Sequence, residues 1–101
     1  MGQSVEPATK RIAFTVSGQV QGVNFRSFTQ KKAKALGVIG WVRNTSDGKV
    51  KGEAQGSPSQ IESLRADLKK GPHHARVTSY EEEELDSKQK GVAEEEFQVV
   101  R

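Results

Sequence analysis

The apolar residues of this chain change their spacing across one short break, and that change restricts the fold more than any other feature. Within Arg11 to Ser17, Ile12, Phe14 and Val16 recur at every second position, the pattern of a strand with one strongly apolar face. Gly18 to Gly22 interrupts it. From Phe25 onward, Phe25, Phe28, Lys32 and Leu36 fall on or near a single helical stripe, with Ala33 and Ala35 alongside. Lys31 and Lys34 turn toward solvent, while Lys32 lays its stem along the edge of the stripe. Gly37 is placed to end that helix in the left-handed conformation.

The alternation then repeats. Val38 to Asn44 is dense in strand formers, Asp47-Gly48 is a turn signal, and Val50 to Gln55 should pair back as a hairpin partner. Ser57-Pro58-Ser59-Gln60 is a capping box with proline in the first turn, and Ile61, Leu64 and Leu68 form the stripe of the helix it opens. Gly71-Pro72 stops that helix. Arg76 to Leu85 reads as a strand, Asp86 to Glu95 as a polar connection, and Phe97 to Val100 as a short last strand. Elements in the order β-α-β-β-α-β plus a terminal strand pack most simply as an α+β, ferredoxin-like sandwich, an antiparallel sheet with two helices on one face. Trp41 is expected in the core, and the runs Glu81 to Glu84 and Glu94 to Glu96 are expected to be solvated.

A chain of 101 residues supports one domain, expected over 10–101, behind a loose tail over 1–9. It has no cysteine, which excludes disulfides, a thiolate nucleophile and cysteine-based zinc sites. It has no apolar run of membrane-spanning length, and its polar start does not resemble a secretory leader, so a cytoplasmic protein with no membrane association is expected. Residues 1–52 carry nine Lys/Arg against two acids, a net +7, whereas residues 53–101 carry seven against eleven, a net −4. A basic first half attracts anions, small or polymeric.

The stretch with chemical content is Ser17-Gly18-Gln19-Val20-Gln21-Gly22-Val23-Asn24-Phe25-Arg26. It joins a strand to a helix and holds two glycines, so it fits either a plain tight turn or a cradle of inward-pointing amides for a phosphate-sized anion. Arg26, in the first helical turn, is positioned to bring a planar guanidinium to such an anion.

Val20-Gln21-Gly22-Val23-Asn24-Phe25-Arg26 resembles the first signature of the acylphosphatase family, in which Gln-Gly-Val is followed by one variable residue and Phe-Arg. Gly40-Trp41-Val42-Arg43-Asn44-Thr45, with Asp47-Gly48, resembles the second signature of these small enzymes, at the family's separation, and the similarity runs from about Ile12 to Val100. The resemblance implies hydrolysis of the carboxyl–phosphate bond of acyl phosphates, with roles that carry over by position. Backbone N–H groups of Gln21, Gly22, Val23, Asn24, Phe25 and Arg26 would hold the phosphate, and Arg26 would neutralise it. Asn44 would orient the attacking water, Thr45 would support Asn44 and its loop, and Gly18 and Gly22 would supply backbone freedom. Asn24 stands where the family often has glycine or an aromatic residue. The family uses no metal or cofactor, and inorganic phosphate would be both product and inhibitor.

His73-His74 follow a helix end and lack the i, i+4 spacing of a helical ligand pair, so a turn pair is expected and no metal site. A single-stranded RNA-binding sheet displays aromatics on its central strands, and Val50 to Gln55 has none, which argues against nucleic acid. No long exposed apolar stretch calls for an obligate partner, so a monomer is expected.

Overall fold

The side chains of Ile12, Phe14 and Val16 are fully buried, and all three stand on one face of the first strand, β1 (Lys10–Gln19). The structure, a computed structural model, describes residues 9–88 and 93–100. Apart from Thr9, the expected tail lies outside the described residues, as do residues 89–92 of the expected polar connection. The remaining elements follow in the expected order: α1 (Phe25–Leu36), β2 (Ile39–Asn44), β3 (Val50–Gly56), α2 (Pro58–Lys70), β4 (Arg76–Leu85) and β5 (Phe97–Val99).

The sheet order is β4-β1-β3-β2-β5. Four strands form the antiparallel ferredoxin-like sheet, and β5 extends it by pairing parallel to β2 through Gly40 and Phe97 to Val42 and Val99. A three-residue strand has few ladder bonds to hold it. Phe97 anchors it instead: the ring is fully buried, worth about 1.5–3 kcal/mol, and Gln30 Nε2 of α1 donates to its carbonyl at 3.0 Å. Both helices cover the same face, where Ala33 of α1 and Ile61, Leu64 and Leu68 of α2 join the apolar side chains of β1 in one core.

Local signals explain both helix boundaries. Gly37 adopts the left-handed conformation and closes α1. Ser57 and Gln60 form a complete capping box at the start of α2, each side chain bonded to the other's backbone N–H. The buried stripe of α1 differs from the expected one. Its members are Phe25, Thr29 and Ala33, whereas Phe28 is half-buried and Lys32 is exposed, its ammonium 5.7 Å from the Phe28 ring centre. Thr29 is accommodated because its hydroxyl donates to the Phe25 carbonyl at 2.8 Å, leaving no unsatisfied polar group.

Two expectations about side chains fail, each for a reason of geometry. Trp41 is not in the core: Val42 takes the inward position of β2, so strict alternation sends Trp41 to the open face, half-buried, with the Arg43 guanidinium 5.8 Å from its ring centre. Glu94 is not a solvated residue, since it closes over the open face onto Arg11 of β1 and is only 15% exposed. The Glu81–Glu84 run is exposed along its whole length, as expected. Glu82 points to the helix side, where Arg65 of α2 donates to both of its oxygens at 2.7 Å. Tyr80 lies half-buried against the rim of the core and donates to Glu82 at 2.8 Å. Burial and the adjoining Glu82 carboxylate push the Tyr80 hydroxyl well above its ordinary pKa.

One consequence of the topology places the site. Strands β1 and β2 each pair antiparallel with β3, which lies between them, so they run parallel and end at the same edge of the sheet. The connections leaving them, residues 20–24 and 45–49, are therefore neighbours.

Candidate active site

The connection out of β1 is shaped by backbone conformations that few residues tolerate. A bulge interrupts the β1–β4 register between Ser17 and Gly18, and Gly18 sits at φ +126° with Arg76 pressed against it: a Cβ there would lie 2.0 Å from the Arg76 carbonyl oxygen. Gly22 follows at φ +77°, and Asn24 at φ 62°, ψ 28° is the one non-glycine residue with positive φ among the described residues. Left-handed residues interspersed in a turn curl successive peptide N–H groups toward one side.

Asn24 is also the N-cap of α1, and its side chain makes no capping hydrogen bond. Its carbonyl accepts the first helical bond, from Phe28 N–H at 2.9 Å, so the amides before Phe28 have no acceptor within the helix. No acidic side chain occupies the first turn. The contrast with the fully capped α2 is the informative point. One helix start is sealed by its own side chains, and the other presents amides that have no hydrogen-bond partner among the described residues, together with the positive end of a helix dipole.

A depression of about 260 Å³ lies at this start, lined by Val20, Gly22, Asn24, Phe25, Arg26, Ser27, Asn44 and Val99. It unites Arg26 with Asn44, which the sequence places eighteen positions apart. Arg26 Nη1 donates to the Val100 carbonyl at 3.3 Å, a contact that steadies the guanidinium at the rim. Asn44 ends β2, half-buried, and among the described residues its side-chain amide has no hydrogen-bond partner. Phe25 anchors the floor, fully buried and edge-on to Phe28 at 5.9 Å between ring centres.

The other expected site residues are placed differently. Val23 does not line the depression and packs half-buried against the core. The Gln21 side chain turns away from the depression, and its Nε2 donates to the Thr45 carbonyl at 2.8 Å and the Lys49 carbonyl at 2.9 Å. Gly18 stays in the bulge. Thr45 lines a second, wider depression on the other side of Asn44, with Arg43, Lys49 and Lys51. Its hydroxyl donates to the Asp47 carboxylate and accepts from Lys49 N–H at 2.9 Å, closing the β2–β3 turn. That hydrogen bond, with help from the nearby lysines, holds the Asp47 carboxyl below the usual carboxylate range. His73 and His74 stack edge-to-face at 4.7 Å in the exposed turn before β4. Among the described residues no three His, Asp or Glu side chains gather into a metal-binding cluster.

Val20, Ser27 and Val99 were not anticipated. Ser27 could have been found, because its own N–H is among the amides at the helix start that have no acceptor within the helix. Val99 could not, since its place depends on β5 adding beside β2.

Comparison with known proteins agrees with the geometry. The acylphosphatase family model matches residues 12–99. An acylphosphatase of Salinibacter ruber is 50% identical over 68 residues, covering 67% of this chain and 72% of the relative. Acylphosphatase-1 of Gallus gallus is 48% identical over 71 residues, 69% of this chain and 72% of its own. The solved structure of an acylphosphatase from Coxiella burnetii superposes with a TM-score of 0.84 at 38% identity, covering 91% of this chain and 93% of that one. With both signature segments meeting in one depression, and nearly the whole chain matched, this chain belongs to the acylphosphatase family.

Proposed function

We propose that this protein hydrolyses acyl phosphates to carboxylate and inorganic phosphate, by in-line attack of a water that Asn44 positions on a phosphoryl group held by Arg26 and the 21–26 loop. One observation carries the reading: an uncapped helix start beside Arg26 faces, across a single depression, the Asn44 amide, which has no hydrogen-bond partner among the described residues. The residues fit the demands of the reaction. A carboxylate leaves readily without a strong general acid. Catalysis then reduces to holding a phosphoryl group in line with water and stabilising its spread charge. Backbone amides, a helix dipole and a guanidinium supply that stabilisation without reorganisation.

The water oxygen bonds to phosphorus as the bond from phosphorus to the acyl oxygen breaks. The electron pair leaves with the carboxylate, and the water proton passes to a phosphate oxygen or to solvent, because a neutral carboxamide is no base at pH 7. Gly22 and Asn24 set the loop, Thr45 braces Asn44, and neither metal nor cofactor enters any step. The same reading takes the protein as a cytoplasmic monomer that phosphate inhibits competitively.

The test is hydrolysis of benzoyl phosphate in excess chelator, comparing wild type with Arg26→Ala. Chelator-resistant turnover that falls about a hundredfold or more in the variant is expected, the scale of losing one charge-stabilising donor. A folded wild type without turnover would sink the reading.

A further inference from the structure

The loop of residues 20–24 and the turn of residues 45–49 are adjacent but not strand-paired with one another, because β3 lies between the strands they leave. The phosphate loop and the turn that follows Asn44 are therefore held against one another by contacts other than strand pairing. Among the described residues, one side chain makes hydrogen bonds across that junction: both bonds come from Gln21 Nε2, to the carbonyls of Thr45 and Lys49.

We infer that the Gln21 side chain is a positioning residue, clamping the end of β2 that carries Asn44 against the loop that would hold the phosphoryl group. The inference rests on the reading proposed above. The clamp is specific in its chemistry. A carboxamide has two N–H donors diverging from one nitrogen, and here both have acceptors, the carbonyls at either end of the turn. Thr45 directly follows Asn44, so a shift of the Thr45 carbonyl moves the Asn44 backbone with it. The turn has its own bonds, from Thr45 N–H to the Lys49 carbonyl at 2.8 Å and from Lys49 N–H to Thr45 Oγ1. It keeps its shape without Gln21 but loses its tether to the loop. The phosphate-holding groups sit on the loop's own side of the junction. Loss of the clamp therefore spares anion binding and disturbs the alignment of the water.

The experiment compares wild type with Gln21→Met, which keeps the side-chain length without donors, and Gln21→Glu at pH 7, which replaces the donors by a carboxylate facing two carbonyls. For each, kcat for benzoyl phosphate and the inhibition constant of inorganic phosphate are measured, and the Asn44 side-chain amide is followed by NMR during a phosphate titration. The expected result is a kcat lower by about tenfold or more, as for a misplacement somewhat under 1 Å. The phosphate constant should stay within about threefold, and the phosphate-induced shift of the Asn44 amide should be largely lost. A kcat that stays level, or that falls only in step with phosphate affinity, overturns the role. A wild type that does not turn over refutes the hydrolase reading separately. In that case the titration still decides for Gln21, and equal Asn44 shifts in wild type and variants overturn the clamp.

Discussion

Arg11 and Glu94, 83 positions apart, meet in paired hydrogen bonds of 3.1 and 3.0 Å on the open face of the sheet. The Arg11 side chain is completely buried there, and its remaining donors reach Glu53 at 2.8 Å and Gln55 at 3.2 Å. Gln55 in turn exchanges two hydrogen bonds with the backbone of Lys88. Lys88 and Glu94 are thus fastened over one end of the sheet by amide and charge contacts. Burial opposes the guanidinium's charge, but Glu94 and Glu53 outweigh it and raise its pKa.

Glu94→Ala should therefore destabilise the fold. Breaking a buried pair by removing one partner costs about 3–5 kcal/mol when nothing else compensates. Here Glu53 and Gln55 remain, so about 2 kcal/mol is expected, or roughly 8–16 °C in Tm for a domain of this size. Thermal unfolding followed by circular dichroism checks it, and a shift under about 2 °C would show that the pair contributes nothing.

The acid limb of the stability curve should depend on Glu82 and Glu94. Paired hydrogen bonds from Arg65 hold the Glu82 carboxyl below the usual range. For Glu94, burial favours the neutral form, but the hydrogen bonds from Arg11 outweigh it and the net direction is also down. A carboxyl whose folded pKa lies below its unfolded value, about 4.3, contributes stability that is present above that value and lost as pH falls through the folded one. Tm should thus be nearly level from pH 7 to about 5 and decline below about 4. Glu82→Gln should start lower at pH 7 and decline less steeply, and parallel curves for the two proteins would refute the assignment.

What was legible in the sequence was what is local. The capping box at Ser57 and Gln60, the stop at Gly37 and the period-two face of β1 each involve partners within a few residues, so sequence spacing determines them. Arg26 and Asn44 were legible because each lies at the end of an element whose type was clear, together with the resemblance of the two segments. Arg11, Gln21 and Glu94 were not, because their meaning comes from partners 24 to 83 positions away. A fully buried arginine on a strand reads locally as a surface residue. Trp41 went wrong for a related reason: its bulk suggested the core, but the alternation that puts Val42 inside fixes it outside.

Asn24 holds a left-handed conformation that most side chains resist. Asn24→Gly should leave Tm within about 2 °C, since glycine adopts this conformation freely at only a small entropic cost. Asn24→Ala should lose about 1 kcal/mol, the usual left-handed penalty, and Asn24→Val more, because a branched Cβ crowds the same carbonyl. As the Asn24 side chain makes no capping bond, its removal adds no further loss. Chemical denaturation of the three variants would order them Gly, Ala, Val. An alanine variant as stable as the glycine one would mean the loop relaxes to another conformation.

Asn44→Ala separates the two halves of the site. Its side-chain amide has no partner within the described protein, so truncation removes no internal hydrogen bond and should change Tm by little. If Asn44 orients the water, its loss is felt in the transition state more than in the ground state. Then kcat should fall about a hundredfold or more while the inhibition constant of phosphate changes by less than about threefold. Arg26→Ala should do the opposite in part, weakening phosphate as well as slowing turnover, because a guanidinium attracts the bound anion before and during reaction alike. Steady-state kinetics with phosphate as inhibitor distinguishes the two variants. Equal losses of rate and phosphate affinity in Asn44→Ala would assign Asn44 to anion binding and leave the water without an orienting group.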